Sequence, residues 1–173
     1  MKRSSIERIV RAIDPDNAPY IMQDPDTVEE FEWAAEYCRK GKAKMAAYSF
    51  RRAKNKVRNF KNWRLTPANI HIGDGVTVNL WSDRYAATVI KVTKNSVTVQ
   101  RDKATLDPNF KPEIIPGGFV GHCINQNEQT YSYEPDPNGT IYKFHWSNKY
   151  CRYGQPGKLT LSKGRHEFYD YNF

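Results

Sequence analysis

Two sets of side chains in this sequence have the types to do chemistry. The first is a basic stretch without a carboxylate: residues 37–73 hold eleven Lys and Arg and no Asp or Glu. Residues 1–36 hold four basic and nine acidic side chains, and residues 74–173 hold twelve and ten. The formal net charge of +8 is therefore concentrated in one short segment, which says more than the overall pI. The second set is His122, Cys123, His145, Cys151 and His166, whose thiol and imidazole donors suit zinc.

The basic side chains need an element that presents them together. Ala46, Phe50, Ala53, Val57 and Phe60 recur at spacings of four and three, one apolar stripe of a helix running from about Lys42 to Asn62. The opposite face then carries Lys44, Tyr48, Arg51, Arg52, Asn55, Arg58 and Asn59, with Lys54 and Lys61 on the flank. Like charges three and four residues apart cost a helix only a few tenths of a kcal/mol each. A face with so many cations and no carboxylate suits an anionic partner. Its lysines and arginines would neutralise phosphates and release counterions, while Tyr48 and the asparagines add hydrogen bonds. A protein inhibitor would use the same face to block the nucleic-acid groove of an enzyme.

The metal reading is weaker on spacing. The five His and Cys positions follow no zinc signature, and adjacent His122 and Cys123 on a strand point to opposite faces. If they did converge, the protein would be a metal-dependent hydrolase or nuclease. A Cys123 nucleophile with His145 or His166 as base has no nucleophile elbow or orienting carboxylate beside it. Gly117 and Gly118 precede no helix, so they are a turn rather than a dinucleotide fingerprint. No cofactor is required by these residues; zinc is the one that their donors would take.

Two helices are expected before the basic one. Ser4 or Ser5 caps a helix whose face is Ile6, Ile9, Val10 and Ile13, and Asp14-Pro15 stops it. Residues 14–26 read as a Pro- and Asp-rich connector. Thr27 with Glu30 has the pattern of a capping box opening the next helix, which ends at Gly41. Residues 63–69 form the seam between a helical, basic region (1–65) and a β domain (66–173).

The β domain is organised around residues 70–102, where apolar and polar residues alternate in three bursts and predict a meander. Strands are expected at 70–72 with 76–81, 86–93, 96–102, 130–134, 140–147, 149–153, 158–161 and 167–173, with an elaborated loop over 106–127. Short strands without intervening helices favour a small antiparallel barrel or sandwich over a parallel sheet. The fold class is therefore α+β. Its dense aromatics, Trp81, Phe119, Tyr131 and Phe144 among them, read mainly as core and cross-strand pairs. Arg84 and Tyr85 at a hairpin turn, with Arg101 and Lys103 beyond them, are the barrel's candidate contacts.

The pattern GDGVTVNLWSDRYAATVIKV within residues 73–93 resembles the opening hairpin of SH3-like barrels of the Tudor and KOW kind. A longer resemblance, to small uncharacterised proteins of phages and mobile elements, is carried by SDRYAATVI (82–90), VQRDKA (99–104), PGGFVGHC (116–123), YSYEPDPNG (131–139) and GRHEFYDYNF (164–173). It spans roughly residues 73–173 and leaves the basic helical third outside. It implies a phage or prophage accessory protein acting in the cytoplasm of the infected or lysogenic bacterium. Such proteins are often DNA-associated or inhibit host defence, as anti-CRISPR proteins inhibit their nucleases. The implied partner is a host nuclease, a nucleoprotein complex, or DNA or RNA itself.

The remaining composition narrows the class. No apolar run approaches the ~20 residues of a membrane span, and none opens the sequence as a signal peptide would. Three cysteines, Cys38, Cys123 and Cys151, are too few and too scattered for a disulfide framework and read as free thiols.

Overall fold

A computed structural model describes residues 1–117, 121–154 and 159–172. Phe119, Gly118 with part of the 116–123 word, the expected turn at 155–157, the start of the expected 158–161 strand and Phe173 lie outside the described residues. The chain is a mixture of helix and strand, and its backbone divides into two compact units. The first is Met1–Ile70 with Trp146–Arg152, and the second His71–His145 with Tyr153–Phe173. Among the described residues, no helix is long and apolar enough to cross a membrane.

The first unit contains α1 (Arg3–Ile13), α2 (Ala18–Ile21), α3 (Pro25–Arg39) and α4 (Ala43–Trp63). Their apolar stripes meet in one core of Ile6, Val10, Ile21, Phe31, Val57 and Phe60, joined by Cys151. The expected connector is in fact part of this core. Buried Asp14 accepts hydrogen bonds from the backbone and side-chain N–H of Asn17 (3.3 and 2.9 Å). The Asn17 side-chain Oδ1 in turn accepts one from the Thr66 hydroxyl (2.5 Å). Satisfying these buried polar groups orders the segment and lets Ala18 and Ile21 bury the short extra helix α2.

The expected capping box is also replaced. Helix α3 starts one residue after Asp24, with Pro25 in its first turn, and the Thr27 hydroxyl bonds back to Asp24 Oδ2 (2.5 Å). That frees Glu30 for a different role. At the other end Gly41 takes φ 68°, and the Lys42 N–H reaches Tyr37 O (2.9 Å), so the chain reverses and α4 returns along α3.

The second unit is built on β1 (Gly75–Asn79), β2 (Arg84–Val92), β3 (Ser96–Arg101), β4 (Lys103–Leu106), β5 (Ile114–Ile115), β6 (His122–Cys123), β7 (Tyr131–Glu134), β8 (Ile141–Ser147), β9 (Arg152–Gly154) and β10 (Thr160–Lys163). Six of these close an antiparallel barrel in the order β1-β10-β9-β8-β3-β2, while β4 pairs with β7 and β5 with β6. The β1–β2–β3 meander has the register Val78↔Tyr85 and Val89↔Val99, with an irregularity between Val89 and Lys91. Closure removes free strand edges and buries Val76, Val78, Val89, Val97, Val99 and Phe144.

Two expected strands are absent. Residues 70–72 form no strand and lead into a turn at 72–73, leaving Ile72 69% exposed. The 167–172 tail touches the sheet by a single bridge, Arg84↔Phe168. Side chains hold it instead: Asn172 bonds both the N–H and C=O of Cys123 (2.6 and 3.1 Å), and Asp83 accepts the Asp170 N–H (2.9 Å). Within the expected 106–127 loop lie the small β5–β6 pair and a short 3-10 turn over Gln126–Glu128.

Candidate anion-binding face on the fourth helix

Helix α4 buries Ser49, Ala53, Val57 and Phe60, and its opposite side is solvent-exposed. Lys44, Tyr48, Arg51, Arg52, Arg58 and Lys61 are all exposed, and Lys54 is half-buried against Phe50, its Nζ 5.4 Å from the ring centroid. The apolar stripe that fixes the helix's orientation therefore also fixes where its cations point. The guanidinium carbons of Arg51 and Arg52 lie 5.9 and 5.6 Å from the Tyr48 ring centroid, a cation–π arrangement that sets both charges near the phenol.

Not every cation on α4 is free. Glu30 of α3 is only 2% exposed in its side chain, and its Oε1 is 2.9 Å from Arg52 Nη2 and 3.5 Å from Lys56 Nζ. Lys56 also donates to Asp26 O (2.9 Å). Arg52 is held above its ordinary pKa by its bond to the Tyr48 hydroxyl and by Glu30, and so stays charged. Its first duty is to pair with a buried carboxylate. Among the described residues, Lys44, Arg51, Lys54, Arg58 and Lys61 have no carboxylate within ion-pair distance. Sequence reasoning did not find the Glu30 pair, because the partner lies on another helix and Glu30 fits a capping pattern equally well.

The barrel candidates are engaged with the protein itself. Arg84 and Tyr85 open strand β2 rather than sitting in the turn before it, and Arg84 lies over Phe168 (5.4 Å). Arg101 stacks on Tyr85, with Cζ 3.7 Å from the ring centroid, and pairs with Glu167 (2.8 Å). Lys103 faces Glu134 across the β4–β7 ladder at 3.9 Å, an exposed pair of small energetic weight. The turn itself presents Trp81, 91% exposed, beyond the end of the strand that its pattern extends to residue 81.

The metal candidates are dispersed. His122 is exposed and Cys123 buried on β6, as strand alternation requires, and Cys123 Sγ donates to Asn125 Oδ1 (3.4 Å). His145 on β8 is exposed, and so is His166, whose backbone N–H donates to Thr77 Oγ1 (3.0 Å). Cys151 lies in the helical core at φ 45°, a left-handed conformation rare for a side-chain-bearing residue. Burial, with a further contribution from Asp24, pushes its thiol pKa up, which disfavours the thiolate that a metal or an electrophile would need. Among the described residues, no three His, Cys, Asp or Glu side chains converge on a common point.

Compared with known proteins, the chain matches no family model, no curated protein and no solved structure. The candidate face is thus defined by its own geometry.

Proposed function

We propose that the protein is a non-enzymatic phage or prophage accessory protein. On this reading it binds a nucleic acid, alone or within a nucleic-acid-processing complex, through the outward face of α4. Its end would be inhibition of a host-defence nuclease of the CRISPR type, in the cytoplasm of the infected or lysogenic cell. The observation that carries the reading is the row Lys44, Arg51, Lys54, Arg58 and Lys61, cations without an internal carboxylate partner among the described residues. Bringing like charges together on one helix face is repaid only where phosphates or carboxylates arrive from outside. The words shared with phage proteins support the origin. The 73–93 hairpin supports an SH3-like reading of the closed barrel, which would then act as scaffold, since Arg101 and Lys103 already have partners.

The test is capture from bacterial lysate by wild-type protein and by the Lys44→Glu, Arg51→Glu, Arg58→Glu triple variant, with and without nuclease. Arg52 is left unchanged, because reversing it would strand Glu30. Partners held by wild type and lost with the triple variant are expected. Loss on nuclease treatment identifies nucleic acid as the direct ligand, and retention identifies its binding proteins. An unchanged set of partners on the variant refutes the reading.

A further inference from the structure

Beside the cationic face, within the first unit, two cavities open along α4, and Phe50 lines both. One, of about 500 Å³, is walled by Ala34 and Ala35 of α3 and Ala46 and Ala47 of α4, with Cys38 and Arg39. The other, of about 360 Å³, has Ile9, Ala12 and Ile13 of α1 in its wall with Arg8, Lys54 and Arg58. Both are of the size that binding pockets have. Their charged residues, Arg8, Arg39, Lys54 and Arg58, are all cations, and no carboxylate lines either cavity. Among the described residues none of the four has an ion pair.

We propose that this groove docks an acidic amphipathic helix of a partner protein. Apolar side chains at i, i+3 or i+4, and i+7 of that helix enter the cavities on either side of Phe50, and its carboxylates meet the four cations. Three features select this occupant. The apolar walls reward burial of aliphatic side chains, which a phosphate backbone does not offer. The alanines leave room for a helix backbone to approach closely. The cations, with no acid among them, discriminate against neutral and basic helices. The proposal goes beyond the phosphate-binding reading, since the floor of the groove is a separate surface. Lys54 and Arg58 belong to both, so an occupied groove competes with nucleic acid for them.

Cys38 provides a footprint, because it is the exposed cysteine, while Cys123 and Cys151 are buried at 3% and 0% exposure. The experiment follows alkylation of Cys38 in the full-length protein by iodoacetamide, a neutral reagent. The probe is a synthetic helical peptide of about 15 residues, the length at which isolated helices become stable, with Leu at i, i+3, i+4 and i+7 and Glu on both flanks. Its Lys-for-Glu counterpart, phosphatidylglycerol vesicles, and rising concentrations of the protein alone are run beside it. The Glu peptide is expected to protect saturably, slowing alkylation about tenfold at about ten times its Kd, since only the free form reacts. Ala47→Glu, at an exposed helical position, should abolish that protection. No protection by the Glu peptide overturns the proposal, and so does equal protection by the Lys peptide. Protection by vesicles alone reassigns the groove to a lipid, and by protein concentration alone to a second copy; either result also overturns it. Nucleic-acid affinity, measured separately by anisotropy, can be lost while this footprint survives, so the two proposals fail independently.

Discussion

Replacing Arg165 by Met removes a charge from the barrel while keeping most of the side chain's length. In the structure its Nε donates to Asp102 Oδ2 (2.8 Å) and its Nη2 to Thr88 Oγ1 (2.8 Å). The guanidinium lies so close over Gly75 that a Cβ there would meet Arg165 Nη1 at 2.5 Å. Asp102 is 2% exposed in its side chain and would keep only the Thr88 hydroxyl (2.6 Å) as a side-chain partner. Breaking one side of a buried pair costs about 3–5 kcal/mol. Arg165 is itself 34% exposed, which lets solvent reach the vacated space and places the expected loss at the lower end, about 3 kcal/mol. With a urea m-value of about 1–3 kcal/mol/M, the unfolding midpoint falls by about 1–3 M. Adding Asp102→Asn should recover most of the loss. Urea titrations, followed by a tertiary signal from the barrel, measure both effects. A single variant within about 0.5 kcal/mol of wild type at pH 7 refutes the assignment, as does a double variant no more stable than the single.

Two other perturbations separate structure from binding. Glu30→Gln removes the carboxylate that occupies Arg52 and Lys56. Releasing both should steepen the salt dependence of nucleic-acid binding, adding up to about 2 to the slope of log K against log salt. A slope equal to wild type means those cations stay out of the contact. At alkaline pH, Tyr131 carries a pKa raised from 10.0 to about 12, first by burial and then by Tyr171 and Glu167. A raised folded pKa means its contribution is complete below about pH 10 and is lost as pH climbs toward 12. Tyr131→Phe should therefore flatten the fall in urea midpoint across that window, and parallel curves for the two proteins would rule the effect out.

What was legible in the sequence follows from what is periodic. The stripe Ala46, Phe50, Ala53, Val57 and Phe60 repeats at helical spacing, so α4 and the direction of its cations could be read directly. The 75–101 meander was legible for the same reason, through alternation. The tail at 167–172 reads as a strand because its aromatics alternate, yet the side chains of Asn172, Asp83 and Glu167 hold it by contacts that have no period. The order in residues 14–24 depends on Thr66 completing a buried knot with Asn17 and Asp14, a contact far away in sequence. The pattern of β1 extends the strand to Trp81, two residues too far; the strand ends at Asn79, and the Trp81 side chain falls in the turn. For the candidate site, residue types identified which cations were available. Only the structure separates Arg51, which has no carboxylate within reach among the described residues, from Arg52, which is committed to Glu30.

The central claim, that the outward cations of α4 contact phosphates, is tested most directly by the salt dependence of binding. Fluorescence anisotropy with a labelled duplex and a labelled single strand, across a series of salt concentrations, gives the slope for wild type and for the Lys44→Gln, Arg51→Gln, Arg58→Gln variant. Each lost phosphate contact on duplex DNA removes about 0.9 from that slope, so the triple variant should bind more weakly with a slope shallower by about 3, at unchanged far-UV circular dichroism. Absence of binding to both nucleic acids at low salt, or equal slopes for the two proteins, would contradict the account.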